Sequence, residues 1–223
     1  MSRTYTRSVD FWLFQARAPS SATVVKLMMA CNDMSLANQS LARWKAEYQT
    51  KGTMRAWGAC LYAIRAQFGH LYEGLDIIEA IRSDSQLLQI VDQCDRRTQE
   101  SFQKLQAYLA PGMKRGELER FAGIVRSTVT FHYDQSGKLV ERAIAALARR
   151  GRVSSVTRAS TAPDWHFELA DRVVDEVVCR QIWKIPEAAN QSAEADKIVG
   201  ELYELFLTFM DFAGEFIWRY SSA

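Results

Sequence analysis

Arginine, serine, histidine and tyrosine stand close together in the stretch GIVRSTVTFHYD, where Arg126, Ser127, His132 and Tyr133 sit among apolar and β-branched neighbours. These residue types can move protons and hold negative charge. General acid–base chemistry needs one group to take a proton and another to give one. Imidazole, with an ordinary pKa of about 6.5, can do either near neutrality. A transition state that gathers negative charge can be held by a planar, permanently charged guanidinium through two hydrogen bonds. Tyr133 could stack on a base or bond a phosphate, and Ser127 could orient either partner. Arg115, Arg120, Lys138, Arg142, Arg149 and Arg150 flank the stretch and could make its surroundings positive, although the whole chain carries a formal charge of only +2.

The spacing sets a geometric problem. Six positions along a straight α-helix turn a side chain through about 600°, so Arg126 and His132 point about 120° apart. Three arrangements would bring them together. The helix ends between them, Arg126 folds its long side chain around, or two copies of the segment meet across a two-fold axis. The β-branched run is uncomfortable inside a regular helix, and DQSG ends the pattern soon afterwards.

The elements that must position these residues read as helices. Hydrophobic residues make up 48% of the 223 and charged residues 24%, ordinary values for a globular protein. After Pro19, the residues Val24, Leu27, Met28, Cys31 and Met34 fall at helical spacing, with Ser20 or Ser21 as the expected N-cap. Trp57, Leu61, Ile64, Phe68, Leu71, Leu75 and Ile78 alternate steps of four and three. Leu87, Val91, Cys94, Thr98, Phe102, Leu105 and Leu109 repeat that pattern over Ser85 to Leu109. Two such helices with RSDS between them predict an antiparallel pair in a bundle. APGMKRG reads as a loop, a helix from about Glu117 runs into the opening stretch, and LVERAIAALARR is a further helix stopped by Gly151.

From Gly151 to Pro163 the chain is small, polar and basic, a linker or at most a β-hairpin. WHFELADRVVDEVVCRQIW reads as helix, although its valines also suit a strand. The last element, from about Ala193 to Tyr220, is apolar on more than one face, which requires cover on both sides, from the bundle and from a partner subunit. The expected fold is therefore all-α: an antiparallel helical bundle with its N-terminal segment over residues 1–150, a linker over 151–163, and a C-terminal helical extension over 164–223 packing on the bundle.

The segment IVRSTVTFHY, preceded by long bundle helices and followed by a short one, resembles the Arg-x(4–6)-His signature of HEPN domains. The similarity is closest to the abortive-infection branch, where a His-Tyr pair closes the motif. RAQFGHLYEGLDIIEAI is similar to a companion helix of that branch, and the resemblance covers roughly residues 20–150. It implies a HEPN-like bundle, a homodimer with a composite site at its interface, and metal-independent endoribonuclease activity in a phage-defence or toxin–antitoxin type of system. Arg126 would take the family's arginine role and His132 its histidine role. The family usually places Asn or Asp directly after the arginine, and here the residue is Ser127. That departure keeps open the alternative of a non-catalytic HEPN-like scaffold that binds a protein partner or nucleotide. RNA as substrate and an antitoxin or regulatory protein as partner follow from the resemblance alone.

Other residues are weighed against blander roles. His70 follows Arg65 in RAQFGH, but Phe68 and Leu71 hold the core positions there. It either packs a neighbouring helix, bonded to Glu73, or supports the His132 site together with Glu73. His166, between Trp165 and Phe167, is expected to pack locally. Three scattered histidines without acidic or Cys residues at ligand spacing predict no metal site, and the absence of a Gly-rich phosphate loop predicts no nucleotide cofactor of that kind. Four separated cysteines in apolar contexts read as buried, reduced thiols. No signal segment is expected, because Asp10 and Arg17 bracket only FWLF. Glu204, Asp211 and Glu215 interrupt the most apolar stretch, so no membrane association is expected and the localisation read is cytoplasmic. A third reading is purely structural, with Arg126 paired to an internal carboxylate.

Overall fold

The computed structural model describes residues 6–130, 136–158, 160–161 and 166–222. Within them every regular element is helical. The only strand-like feature among the described residues is one antiparallel bridge, Thr157 to His166. The chain runs through α1 (Phe11–Ala16), α2 (Ser20–Lys51), α3 (Met54–Arg82), α4 (Ser85–Gln93), α5 (Arg96–Gln106) and α6 (Arg115–Leu118). Two π-helical turns follow, Glu119–Gly123 and Arg126–Thr130. Then come α7 (Lys138–Arg149), α8 (Glu168–Glu176), a third π-helical turn (Val177–Ile182) and α9 (Gln191–Tyr220).

The scaffold is the antiparallel hairpin of α2 and α3. Gly52, at φ 62°, ends α2 in the left-handed conformation that glycine tolerates. Thr53 then caps α3, its hydroxyl accepting from the Ala56 amide at 3.3 Å. The two helices run back along each other, so Tyr48 meets Trp57, Asn38 meets Gln67 and Asp33 faces His70. On α3 the second half of the expected seam, Phe68, Leu71, Leu75 and Ile78, is fully buried. Its first half, Trp57, Leu61 and Ile64, is only partly buried and borders a cavity.

Ser85 to Leu109 is not one helix. It breaks at Cys94, which is extended (ψ 164°), and restarts where the Asp95 carboxylate accepts from the Thr98 amide at 2.8 Å. An Asp that can cap a new helix competes with continuing the old one. The apolar periodicity survives the break, since all seven seam residues from Leu87 to Leu109 are buried. Ser20 and Ser21 also differ from expectation. Pro19 stands at the N-cap position and makes no side-chain cap bond. Both serines are buried in the first turn, where Ser20 donates to Asp84 Oδ2 at 2.6 Å and Ser21 to the Phe14 carbonyl.

The last helix enters the same core. Phe209, Phe212 and Phe216 are fully buried, and Phe212 stacks on Phe102 of α5 with ring centres 5.0 Å apart. Burying each ring stabilises the fold by roughly 1.5–3 kcal/mol. Tyr220 packs against Phe14 of α1, so both ends of the described chain meet. Tyr203, Leu207 and Trp218 remain exposed on the other side of α9. Val173, Val177 and Val178 are helical and buried rather than forming a strand. Cys60, Cys94 and Cys179 are buried and Cys31 is half-buried, all as free thiols. No helix among the described residues is long and apolar enough to cross a membrane.

Candidate functional site

Arg126 opens the second π-helical turn, and this departure from α-geometry has visible braces. Thr130 Oγ1 donates to the Arg65 carbonyl at 3.3 Å and the Val125 carbonyl at 3.1 Å. Arg65 Nη1 in turn donates to the Val129 carbonyl at 2.5 Å. Trp183 Nε1 holds the first π turn through the Phe121 carbonyl at 3.1 Å. The β-branched run therefore does not continue a straight helix. It is wound more loosely and tied to α3 by Arg65. Single π turns inside helices recur at functional sites.

Around Arg126 the structure assembles a polar cluster against α3. One guanidinium nitrogen contacts Glu73 Oε1 directly, with the two side chains 33% and 45% exposed. Arg126 Nε is buried and has no hydrogen-bond partner among the described residues. The guanidinium carbon lies 5.6 Å from the centre of the Tyr72 ring, and that of Arg115 lies 4.6 Å from it. Arg115 Nη2 donates to the Tyr72 hydroxyl at 2.6 Å, and that hydroxyl donates to Glu119 Oε2. Burial, reinforced by the bond to Glu119, pushes the Tyr72 phenol up to about 12 against the pull of Arg115, so it stays protonated and keeps donating. The carboxylate of Glu119 also covers Gly123, where a Cβ would fall 2.6 Å from Oε1.

The sequence candidates divide clearly. Arg126 and Glu73 are brought together. Ser127 is exposed and donates to its own Ile124 carbonyl at 3.2 Å, a local bond within the helix. His132 and Tyr133 lie outside the described residues. His70 Nδ1 stands 3.9 Å from Asp33 Oδ2 on α2. Arg65, also on α3, braces the π turn through the Val129 carbonyl. His166 is local, with Nε2 2.9 Å from Asp171 Oδ2. Among the described residues no three His, Cys, Asp or Glu side chains gather as a metal site would need.

The expected positive surroundings are only partly free. Arg115 serves Tyr72, Arg120 lies over the Phe121 ring at 4.4 Å, and Arg150 pairs with Glu176 at 2.5 Å. Lys138, Arg142 and Arg149 on α7 are exposed and make no ion pair among the described residues. At about 100° per residue they fall within about 40° of one another, forming a single basic stripe. Sequence reading missed Tyr72 and Glu119. Only the Arg115–Glu119 spacing of four, on a helical stretch, could have signalled part of their arrangement.

The fold and this cluster define an all-α helical bundle with a half-exposed arginine held between a carboxylate and an aromatic ring. Compared with protein-family models, curated proteins and solved structures, the chain finds no match. The likeness to HEPN domains accordingly rests on the motif residues themselves.

Proposed function

We propose that the chain is a HEPN-like, metal-independent endoribonuclease of a phage-defence or toxin–antitoxin type, acting as a homodimer with Arg126 and His132 as its catalytic pair. The observation that carries this reading is the company Arg126 keeps. It is a part-exposed guanidinium on a braced π turn, with the exposed basic stripe of Lys138, Arg142 and Arg149 beginning on the next helix. In this reading the guanidinium holds the charge that builds on the phosphoryl oxygens, and His132 moves the proton. The α7 stripe attracts the RNA backbone, an attraction that weakens as salt rises. Tyr72 keeps the guanidinium plane in position. An antitoxin or regulatory protein would act by covering this face, in the cytoplasm where its RNA resides.

The second reading is a non-catalytic scaffold that binds a protein partner or nucleotide. Two observations favour it: Glu73 already contacts Arg126, and the Ser127 hydroxyl is spent on the Ile124 carbonyl. Cleavage of RNA by the purified protein in excess chelator, with mass measured by light scattering, separates the two. The enzyme reading expects a dimer whose cutting is abolished by His132→Ala and Arg126→Ala, poorly restored by Arg126→Lys, and kept or raised by Glu73→Gln. A protein that cuts no RNA at high concentration, or that cuts equally well as His132→Ala, establishes the scaffold reading.

A further inference from the structure

A cavity of about 470 Å³ opens between α2, α3, the third π turn and the start of α9. That volume lies within the range of sites for small organic molecules. Its wall is mostly carbon, with Trp57, Phe68 and Trp183 supplying aromatic surface and Val178 and Val199 aliphatic surface. Two acids line it, Asp196 at the exposed rim and Asp175 further in. Gln191 Nε2 donates to Asp175 Oδ2 at 2.9 Å, and Cys179 Sγ to Asp175 Oδ1 at 3.4 Å.

The side chains that donate to Asp175 among the described residues, Gln191 and Cys179, are both neutral. Asp175 makes no ion pair among the described residues. Arg180, whose charge it feels, donates instead to the carbonyls of Ile185 and Pro186 at 2.9 and 2.6 Å. Arg65, the cation that lines the inner wall, gives its guanidinium to the Leu61 and Val129 carbonyls. Lys45 and Asp196 are both exposed and mark the solvent side. Burial pushes the Asp175 carboxyl up, against the bonds from Cys179 and Gln191 and the charge of Arg180.

We propose that this cavity binds a small organic ammonium compound, its aromatic or branched apolar body against Trp57, Phe68 and Trp183 and its charged nitrogen on Asp175. The ammonium hydrogens find acceptors on Asp175, whose oxygens keep lone pairs beyond those used by Gln191 and Cys179. The rings add attraction for the cation. A carboxylate or phosphate ligand is disfavoured, because Gln191 and Cys179 have already spent donors on Asp175, and the acid repels it. The Cys179 thiol is itself pushed up by burial and by Asp175, so it serves as a donor and not as a nucleophile. The site shares Val125 and the bracing residues Arg65 and Trp183 with the segment leading to Arg126, but its ligand chemistry rests on Asp175 and it stands or falls separately from the ribonuclease reading.

Three probes of one shape test it by titration calorimetry on the full chain: tryptamine, neutral 3-ethylindole and anionic indole-3-propionate. Tryptamine is expected to bind at least roughly tenfold more tightly than either of the others. Asp175→Asn is expected to bring tryptamine down to the affinity of 3-ethylindole while leaving 3-ethylindole unchanged. No binding of tryptamine at millimolar concentration, equal affinity for all three, preference for the anion, or undiminished tryptamine binding by Asp175→Asn would each overturn the proposal. The wild-type comparison decides the matter alone if the variant does not fold.

Discussion

Gly74 on α3 and Gly214 on α9 both lie inside long helices, yet the same substitution at each should act with opposite sign. A Cβ on Gly74 would stand 2.9 Å from Phe209 Cε2 and 3.0 Å from its Cζ, with Met34 Cε at 3.5 Å. Both Phe209 and Met34 are fully buried, so the ring cannot swing out into solvent and must shift within the core. Gly74→Ala gains about 1 kcal/mol of helix propensity and loses roughly 1–3 kcal/mol to overpacking. The net is a loss of about 0–2 kcal/mol. Gly214 has nothing within 4 Å of its notional Cβ and faces solvent. Gly214→Ala therefore gains about 0.5–1 kcal/mol with no opposing term. The two variants should differ by about 2 kcal/mol, or about 4–8 °C in Tm for a chain of this size, if unfolding is two-state. Urea titration with parallel thermal scans measures both. A Phe209→Leu change in the Gly74→Ala background should recover stability beyond additivity by at least about 0.5 kcal/mol. If Gly74→Ala is as stable as Gly214→Ala, Phe209 does not lie over Gly74 and the seating of α9 on α3 is wrong.

Two further outcomes follow from single contacts. Glu176 is buried, with a side chain 7% exposed, and pairs with Arg150 at 2.5 Å. Arg150→Ala should cost about 2–3 kcal/mol by stranding that carboxylate, and the joint Arg150→Met, Glu176→Leu change should restore most of it in chemical denaturation. A cost below about 0.5 kcal/mol would mean that water already reaches Glu176. Asp84 caps α4 and is held below the ordinary carboxylate range, chiefly by the Ser20 hydroxyl and then by the Leu87 and Gln86 amides. Its folded-state pKa is depressed, so its contribution is complete above about pH 4, the ordinary value, and is lost as pH falls below it. Asp84→Asn keeps the cap but not the charge, so its stability deficit against wild type should shrink between pH 5 and acid. A pH-independent deficit would refute the assignment.

The helices and their buried faces were legible because periodicity reports local geometry. Leu71, Leu75 and Ile78 are buried as their spacing requires, and the apolar helix from Gln191 to Tyr220 has most of its rings covered. The break at Cys94 was hidden because the apolar pattern runs through it unchanged, and only the capping ability of Asp95 marks it. The π turns were half legible. The run Ser127–Thr130 signalled discomfort in an α-helix, but the looser winding is accompanied by Arg65, Thr130 and Trp183 contacts that join distant parts of the chain. Arg126 and Glu73 were both singled out, yet their contact joins residues far apart in sequence, and no spacing rule reaches that far. Asp175 and Cys179, one helical turn apart, carried no signal until α2, α3 and α9 enclosed them.

The contact between Glu73 and Arg126 bears on both functional readings, and its magnitude decides how. An ion pair whose members are 33% and 45% exposed is screened by water and contributes at most about 1 kcal/mol. Displacing Glu73 from the guanidinium would therefore weaken a phosphate's binding by no more than roughly fivefold, since about 1.4 kcal/mol is tenfold. A bidentate guanidinium–phosphate contact gains more than that in a site shielded from water. On the ribonuclease proposal, Glu73 would thus temper Arg126 without disabling it. A pair of the same geometry sealed from solvent, as Glu176 nearly is, would hold its arginine too tightly to release it to a substrate.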